Sequence, residues 1–539
     1  MFDYIIVGAG SAGCILAHRL SANPDHQVLL IEAGGVDKKR EIHIPAAFSK
    51  LFKTPYDWAY HSVPQPYAGQ RRMYLPRGKV LGGSSSINAM IYIRGHQQDY
   101  DHWAELGNAG WDYASLLPYF KRSESNERGA DAFHGDQGPV WVSNLRDPFP
   151  VSQSFVQAGE ELGYQANADF NGAEQEGFGL YQVTQKNGKR HSSARAFLSE
   201  AMQRPNLTVL TDALVHRILI EGDSAVGLEV QLSTHIQEYR ARQEVILAAG
   251  AYNSPQLLML SGVGEGDHLR ELGLRVKHEL PGVGKNLQDH LIVPMVFQNR
   301  NRHTLENAES PRSLINYLIW GEGPLSSNVA EAGGFIRTRS ELTAPDIQYH
   351  FAPGYFMNHG FDLPDSGHGF SFGPTLLQPE SIGRITLHST DPSEAPLIDH
   401  AYLSEEADVE TLMAGMRFGY ELLKTRALGR YFKDYHLPNR KLVKPGDLER
   451  YIRNHAQTLY HPVGTCKMGD DADAVVDAQL RVRGLRGLRV ADASVMPRIV
   501  RGNTQAAAMA VGEKAADLIL GRDPKKAPLA NRRATSKFS

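Results

Sequence analysis

Asp3-Tyr4-Ile5-Ile6-Val7 is a short, β-rich apolar run that breaks directly into Gly8-Ala9-Gly10-Ser11-Ala12-Gly13. A helix-compatible stretch follows from Cys14 to Leu20, then a loop at Asn23-Pro24-Asp25 and a second strand from Gln27 to Ile31. That strand stops at Glu32 and runs into Ala33-Gly34-Gly35. Strand, glycine turn, helix, strand, acid is the order of a dinucleotide-binding unit, and each part has a physical task. Gly8 permits a tight turn, Gly10 lets a pyrophosphate approach the backbone, and Gly13 lets helix and strand pack closely. The helix start then offers its first N–H groups and positive dipole end to phosphates. Glu32, nineteen residues after Gly13, stands where a carboxylate accepts hydrogen bonds from ribose hydroxyls. A lone GxGxxG also occurs in ordinary βαβ turns. The acid at this spacing and the flanking strands favour the nucleotide site.

At 539 residues the chain is long for one hydrophobic core, so two or more lobes are expected. A formal net charge of −3 gives no electrostatic case for nucleic acid. The two cysteines, Cys14 and Cys466, form no CxxC, which argues against a disulfide scaffold, a zinc site or dithiol chemistry. No metal site is expected, and a reducing, cytoplasmic compartment fits. No basic segment leads into a long apolar run at the start, and no apolar run reaches membrane-spanning length. Peripheral membrane association stays open, because it needs only a surface patch.

Further along, Pro76 to Asn88 holds three glycines and three serines, a poor core element but a good close-approach loop. The apolar residues 89–95 anchor it. Residues 111–125 and Ser154 to Gly163 read as helices. Short strands are expected at 207–211, 214–220, 225–231, 238–242 and 244–248, the last ending at Ala249-Gly250. Asn253 or Ser254 can cap a helix with Pro255 in its first position, and Gly262 or Gly264 can stop it. Residues 301–455 form a second region with aromatic clusters around Tyr349-His350-Phe351 and Tyr355-Phe356. Near the end, Arg489-Val490-Ala491 is a strand running into Asp492-Ala493, and Asn503-Thr504 precede an alanine-rich helix, Gln505 to Leu520. One ligand-binding domain built from both chain ends is the reading.

These segments resemble the glucose–methanol–choline (GMC) family of flavin-dependent alcohol oxidoreductases over essentially the whole chain. Gly78-Lys79-x-x-Gly82-Gly83-Ser84-Ser85-x-Ile87-Asn88 looks like its first signature. Gly250-x-x-x-Ser254-Pro255 through Gly264 looks like its second. Tyr460-His461-Pro462-Val463-Gly464-Thr465-Cys466 and Gly502-Asn503-Thr504-Gln505 look like its active-site segments. Glu331-Ala332-Gly333-Gly334-Phe335 leans toward the branch of choline dehydrogenases and bacterial alcohol dehydrogenases.

The resemblance implies an α/β, Rossmann-type FAD-binding domain (1–140, 190–300 and 456–525) with a discontinuous α+β substrate-binding domain (141–189 and 301–455) and a loose tail, 526–539. It implies FAD contacts at Gly8, Gly10, Ser11, Ala12, Gly13, Glu32, Ala33, Gly78, Val80, Gly82, Gly83, Ser84, Asn88, Ala89 and Ala249. It adds Tyr460, Asp492, Ala493, Asn503, Thr504 and Gln505, with Val215 on the adenine side. Some relatives attach the flavin through a histidine just before the signature asparagine. Ile87 stands there, so non-covalent FAD is expected.

By the same resemblance His461 is the base that takes the hydroxyl proton, an imidazole being suited to proton transfer near neutrality. Asn503 is its partner, able to hydrogen-bond the developing alkoxide. The substrate is then a primary alcohol, oxidised to the aldehyde with electrons passed to a quinone-type acceptor or to oxygen. Glu331, Tyr349 and Phe351 are candidate substrate contacts, although a solvated or ion-paired carboxylate is the favoured reading of Glu331 and core that of the aromatics. Cys466 reads as a small packing residue. Rival readings are a lyase on the same fold and a flavin-binding protein without catalysis.

Overall fold

The computed structural model describes residues 1–522, and the predicted tail at 526–539 lies outside them. The first strand, Phe2–Val7, sits inside a parallel sheet in the order 207–210, 28–31, 2–7, 241–247 and 488–490. Ile5 and Ile6 and all of Val28–Ile31 are buried, as expected of strands covered on both faces. The helix Ser11–Leu20 begins three residues before the expected Cys14, because Gly10, at φ −76°, already serves as its cap position.

The expected strands at 238–242 and 244–248 are one strand, His235–Leu247. Gln243 between them supplies no turn chemistry, so the chain runs on. Its first half pairs antiparallel with Ser224–Leu232, and its second half joins the parallel sheet. The next helix is Gly250–Leu260, with Pro255 inside it, so the expected cap at Asn253 or Ser254 is not the one used. Instead, Asp492 from the other end of the chain accepts the Gly250 N–H (2.9 Å) and the Ser254 hydroxyl (2.6 Å). Gly262, at φ +83°, ends this helix's turn as expected.

The last helix, Gln505–Leu520, packs along Ser11–Leu20 so tightly that a Cβ on Gly512 would lie 2.9 Å from Ala12 Cα. Arg19 and Arg122 pair with Glu513 and Asp517 on that helix, tying the two chain ends together. Thr504 makes no side-chain cap bond, so the helix opens toward the lobe interface without one.

A second, antiparallel sheet runs in the order 432–437, 295–299, 369–376, 347–352, 332–336 and 177–180. It also takes in 291–292 and 457–458, just outside the 301–455 boundaries drawn from sequence. Helices Pro150–Glu161 and Glu406–Leu422 cover one face. The other face looks onto the parallel-sheet lobe.

Candidate active site

A cavity of about 320 Å³ lies between the two lobes. At one end it is walled by the glycine turn and the strand ends of the parallel sheet. Gly8 adopts φ +96°, and a Cβ on Gly13 would sit 1.9 Å from Gly8 carbonyl oxygen, so helix and strand touch there as the motif requires. Gly10 is different: a Cβ there would meet nothing nearer than Ala248 oxygen at 3.9 Å. The space beside Gly10 is left for a ligand. Glu32 is buried, accepting the N–H groups of Ala9 and Gly34 (both 2.9 Å), and burial pushes its carboxyl up to about 7. Asp492 accepts Gly250 and Ser494 N–H and lines the same wall. A bare glycine cradle at a helix start, with a buried acid at the second strand's end, fits a dinucleotide such as FAD.

Of the predicted cofactor residues, Gly13, Val80 and Gly82 do not line the cavity, and the others do. Gly13 acts through helix packing. Val80 is buried in a cluster with Phe48, Phe52 and Ile87. Gly82, at φ +90°, shapes the loop, since a Cβ there would lie 2.3 Å from Ser86 Oγ. Arg190, itself buried, donates to Ser85 oxygen (3.1 Å) and Asn88 Oδ1 (2.7 Å) and so holds that loop from behind.

The other end of the cavity carries His461 and Asn503. Hydrogen bonding assigns the tautomers. His290 Nε2–H donates to the Leu377 carbonyl (3.0 Å), so its Nδ1 is a lone pair. That lone pair accepts the Nδ1–H of His461 (2.9 Å). His461 Nε2 is therefore unprotonated, 3.2 Å from the Asn503 amide nitrogen, in the cavity wall. Asn503 is oriented in turn, because its Oδ1 accepts from Gln348 Nε2 (3.3 Å).

The loop bearing His461 is held by a buried acid, Asp289. It accepts the His461 N–H (2.7 Å), the Thr458 hydroxyl (2.6 Å) and the Tyr402 hydroxyl (2.5 Å). Tyr460 is left-handed, φ +72°, and is clamped by Thr458 Oγ1 on its N–H (2.8 Å) and Arg77 on its carbonyl (2.7 Å). Strain at the residue before His461 is thus carried by the surrounding bonds.

Sequence reasoning missed Asp289, His290, Gln348 and His350. The signal for the first two was the polar run Asn286-Leu287-Gln288-Asp289-His290 preceding an apolar strand, which only a fold could relate to His461. For the strand Ile347–Ala352 the register decides. His350 and Ala352 line the cavity, and Gln348 reaches Asn503. Tyr349 and Phe351, the predicted contacts, face the opposite side: Tyr349 donates to Gly415 oxygen (2.5 Å) and Phe351 stacks on Phe155 (4.7 Å). Strand alternation of period two explains the exchange. Glu331 is also outside the cavity. It is buried, accepts the Phe149 N–H (2.9 Å) and the Ser152 and Ser327 hydroxyls (both 2.7 Å), and serves the start of helix Pro150–Glu161. Cys466 is buried outside the lining.

Burial drives the imidazoles down: His290 and His350 to about 3, and His461 well below its ordinary value, with His290, His350 and Arg77 adding to the effect on His461. All three stay neutral in the folded protein well below the pH at which they charge in the unfolded chain, near 6.5. The stability these imidazoles contribute is therefore full above about pH 6.5 and falls as pH drops. Glu32 and Glu331, both raised by burial to about 7, work in the opposite direction. With both carboxyls neutralised by substitution (Glu32→Gln with Glu331→Gln), the fall in melting temperature from pH 7 to pH 5 should steepen. An unchanged slope would remove burial as the cause.

Residues 2–292 and 379–512 match the family models described as GMC oxidoreductase. The chain is 46% identical over 529 residues to an alcohol dehydrogenase [acceptor] of Pseudomonas putida, covering 96% of each. It is 44% identical to the oxygen-dependent choline dehydrogenase 1 of Chromohalobacter salexigens, covering 97% of this chain and 95% of that one. Among solved structures it resembles pyridoxine 4-oxidase from Mesorbium loti (32% identity, TM-score 0.88, 96% and 98% covered) and a formate oxidase (29%, 0.91, 96% and 98%). With the fold, the nucleotide cradle and these likenesses together, the chain belongs to the GMC oxidoreductase family and is an enzyme of that family.

Proposed function

We propose that this protein oxidises a primary alcohol to the aldehyde, with His461 as the base, FAD bound without a covalent link, and a quinone-type acceptor or oxygen as the final oxidant. One observation carries the reading. The Leu377–His290–His461 chain of hydrogen bonds leaves a lone pair on His461 Nε2 at the cavity wall, beside the Asn503 amide. The substrate hydroxyl takes the place of the Asn503 N–H at that nitrogen and gives it its proton. His461 then bears the charge, with its Nδ1–H still held by His290. Asn503 Nδ2 donates to the oxygen as it becomes an alkoxide, and Gln348 keeps that amide from turning over. His350, in the cavity wall beside the Asn503 side chain, is a second group available to the substrate oxygen. Bound FAD supplies the acceptor for the hydride that leaves the carbinol carbon.

The chain's own residues limit the alcohol. Phe48, Phe52, Val329, Phe356, Phe372 and Leu459 are in the cavity wall, whereas its only carboxylates are Glu32 and Asp492, both engaged at the nucleotide end. An apolar alcohol suits this wall. A quaternary ammonium has no carboxylate to meet there, because Glu331 is turned away.

Anaerobic mixing with a panel of alcohols tests the reading. Aliphatic and aryl primary alcohols should bleach the flavin and choline should not, with air or a quinone dye restoring the colour. Acid precipitation should leave colourless protein and yellow supernatant. Flavin that stays oxidised with every alcohol overturns the proposal, and a yellow pellet overturns its non-covalent part.

A further inference from the structure

Pro311–Trp320 is a helix capped by the Ser310 side chain and ended by left-handed Gly321, so its boundaries are well made. Its packing is one-sided. Ser313 and Tyr317 are buried, while Leu314, Ile315, Leu318, Ile319 and Trp320 are exposed, Leu318 by 72% and Ile319 by 62%. The spacing i, i+1, i+4, i+5 puts these aliphatics on a single outward stripe. Soluble surfaces rarely concentrate large apolar side chains this way. Phe361 and Leu363, also exposed, lie on a neighbouring loop.

Charge around the stripe is sorted. Lys186 and Lys189 are exposed on a hairpin whose tip, Gly188, meets the Gly321 carbonyl at the helix C-terminus. Arg302 and Arg312 are exposed around its N-terminus. None of the four has a carboxylate partner among the described residues. The nearby acids are already engaged: Glu309 by Lys50, Glu322 by Arg146, and Glu306 by the Tyr355 N–H. An apolar stripe rimmed by cations without carboxylate partners, with a tryptophan at its end, has the chemistry of a helix lying in the headgroup layer of an anionic bilayer. Among the described residues no helix is long and apolar enough to cross a membrane, so the contact would be one-sided. A second protein copy fits less well. A stable protein interface takes about 20–30 residues a side, and cations at both ends of the stripe would face their own kind across a two-fold axis.

We propose that the helix Pro311–Trp320 and its cationic rim dock this enzyme onto the surface of an anionic lipid bilayer. The docked face adjoins the cavity. Glu309, just before the helix, pairs with Lys50 on the segment Pro45–Leu51, and Phe48 of that segment lines the cavity. Gly360, next to exposed Phe361, packs on Ser49 of the same segment, and Phe361 meets cavity-lining Phe52 edge-on at 6.4 Å. Apolar molecules dissolved in the bilayer would thus be presented beside the cavity's aromatic wall.

Flotation of the purified enzyme with vesicles tests this, using phosphatidylcholine alone and phosphatidylcholine mixed with phosphatidylglycerol. The wild type should float with the mixed vesicles. Leu318→Ser with Ile319→Ser should cut the bound fraction at least tenfold, with circular dichroism and alcohol turnover in detergent-free buffer unchanged. Arg302→Gln with Arg312→Gln should weaken binding to mixed vesicles and flatten its salt dependence. Wild-type protein that stays at the bottom of the gradient with both vesicles overturns the proposal. So does a dimer, seen by sedimentation velocity, that the serine variant dissociates.

Discussion

His461→Ala should lose about 10³-fold in alcohol turnover while remaining folded and yellow. The side chain removed holds the only imidazole lone pair that the Leu377–His290 relay delivers to the cavity beside Asn503. His350 keeps its place in the neighbouring strand but is bonded through Nδ1 to Thr375 (3.2 Å), outside that relay, and should not replace it. The truncation also strands His290 Nδ1 and one Asn503 N–H, a stability cost of about 1–3 kcal/mol. Rate and melting temperature measured on the same preparation separate the two effects. A loss of three orders of magnitude in rate with a small shift in melting assigns His461 to the chemistry. Rates within a few-fold of wild type take it out of the mechanism.

Gly10→Val should give a folded protein without flavin. The backbone there is not left-handed, and the nearest protein atom to a new Cβ is 3.9 Å away, so the fold has room for the side chain. Its methyls extend into the volume left beside the helix start, where a pyrophosphate must come against the backbone. Gly13→Val is the contrasting case. Its Cβ would fall 1.9 Å from Gly8 oxygen, wedging helix from strand, and the protein should not fold stably. Flavin content from the absorption spectrum, with circular dichroism for folding, checks both. Gly10→Val protein as yellow as wild type would move the coenzyme away from this turn.

Much of this design is written in short stretches of sequence, for a local reason. A glycine turn needs its three glycines within six residues, and Gly8, Gly10 and Gly13 are legible because their tasks depend on adjacent backbone. His461 and Asn503 are legible through the segments around them. Glu331, Tyr349 and Phe351 take the paired-carboxylate and core readings rather than the substrate one, because burial and strand parity, which residue type alone does not fix, decide which side of the sheet each one meets.

The sequence alone determined the nucleotide cradle, the family resemblance, and the segments that carry His461 and Asn503, since each is encoded in contiguous residues. Tertiary structure alone decided which nitrogen of His461 is unprotonated, through His290 from 171 residues away, and what holds its loop, through Asp289. It also decided that Asp492 caps the helix at Gly250 and that His350, rather than its neighbours, meets the cavity. Proton position and side-chain facing depend on partners distant in the chain, and a linear pattern carries no record of which distant groups will come within hydrogen-bonding distance.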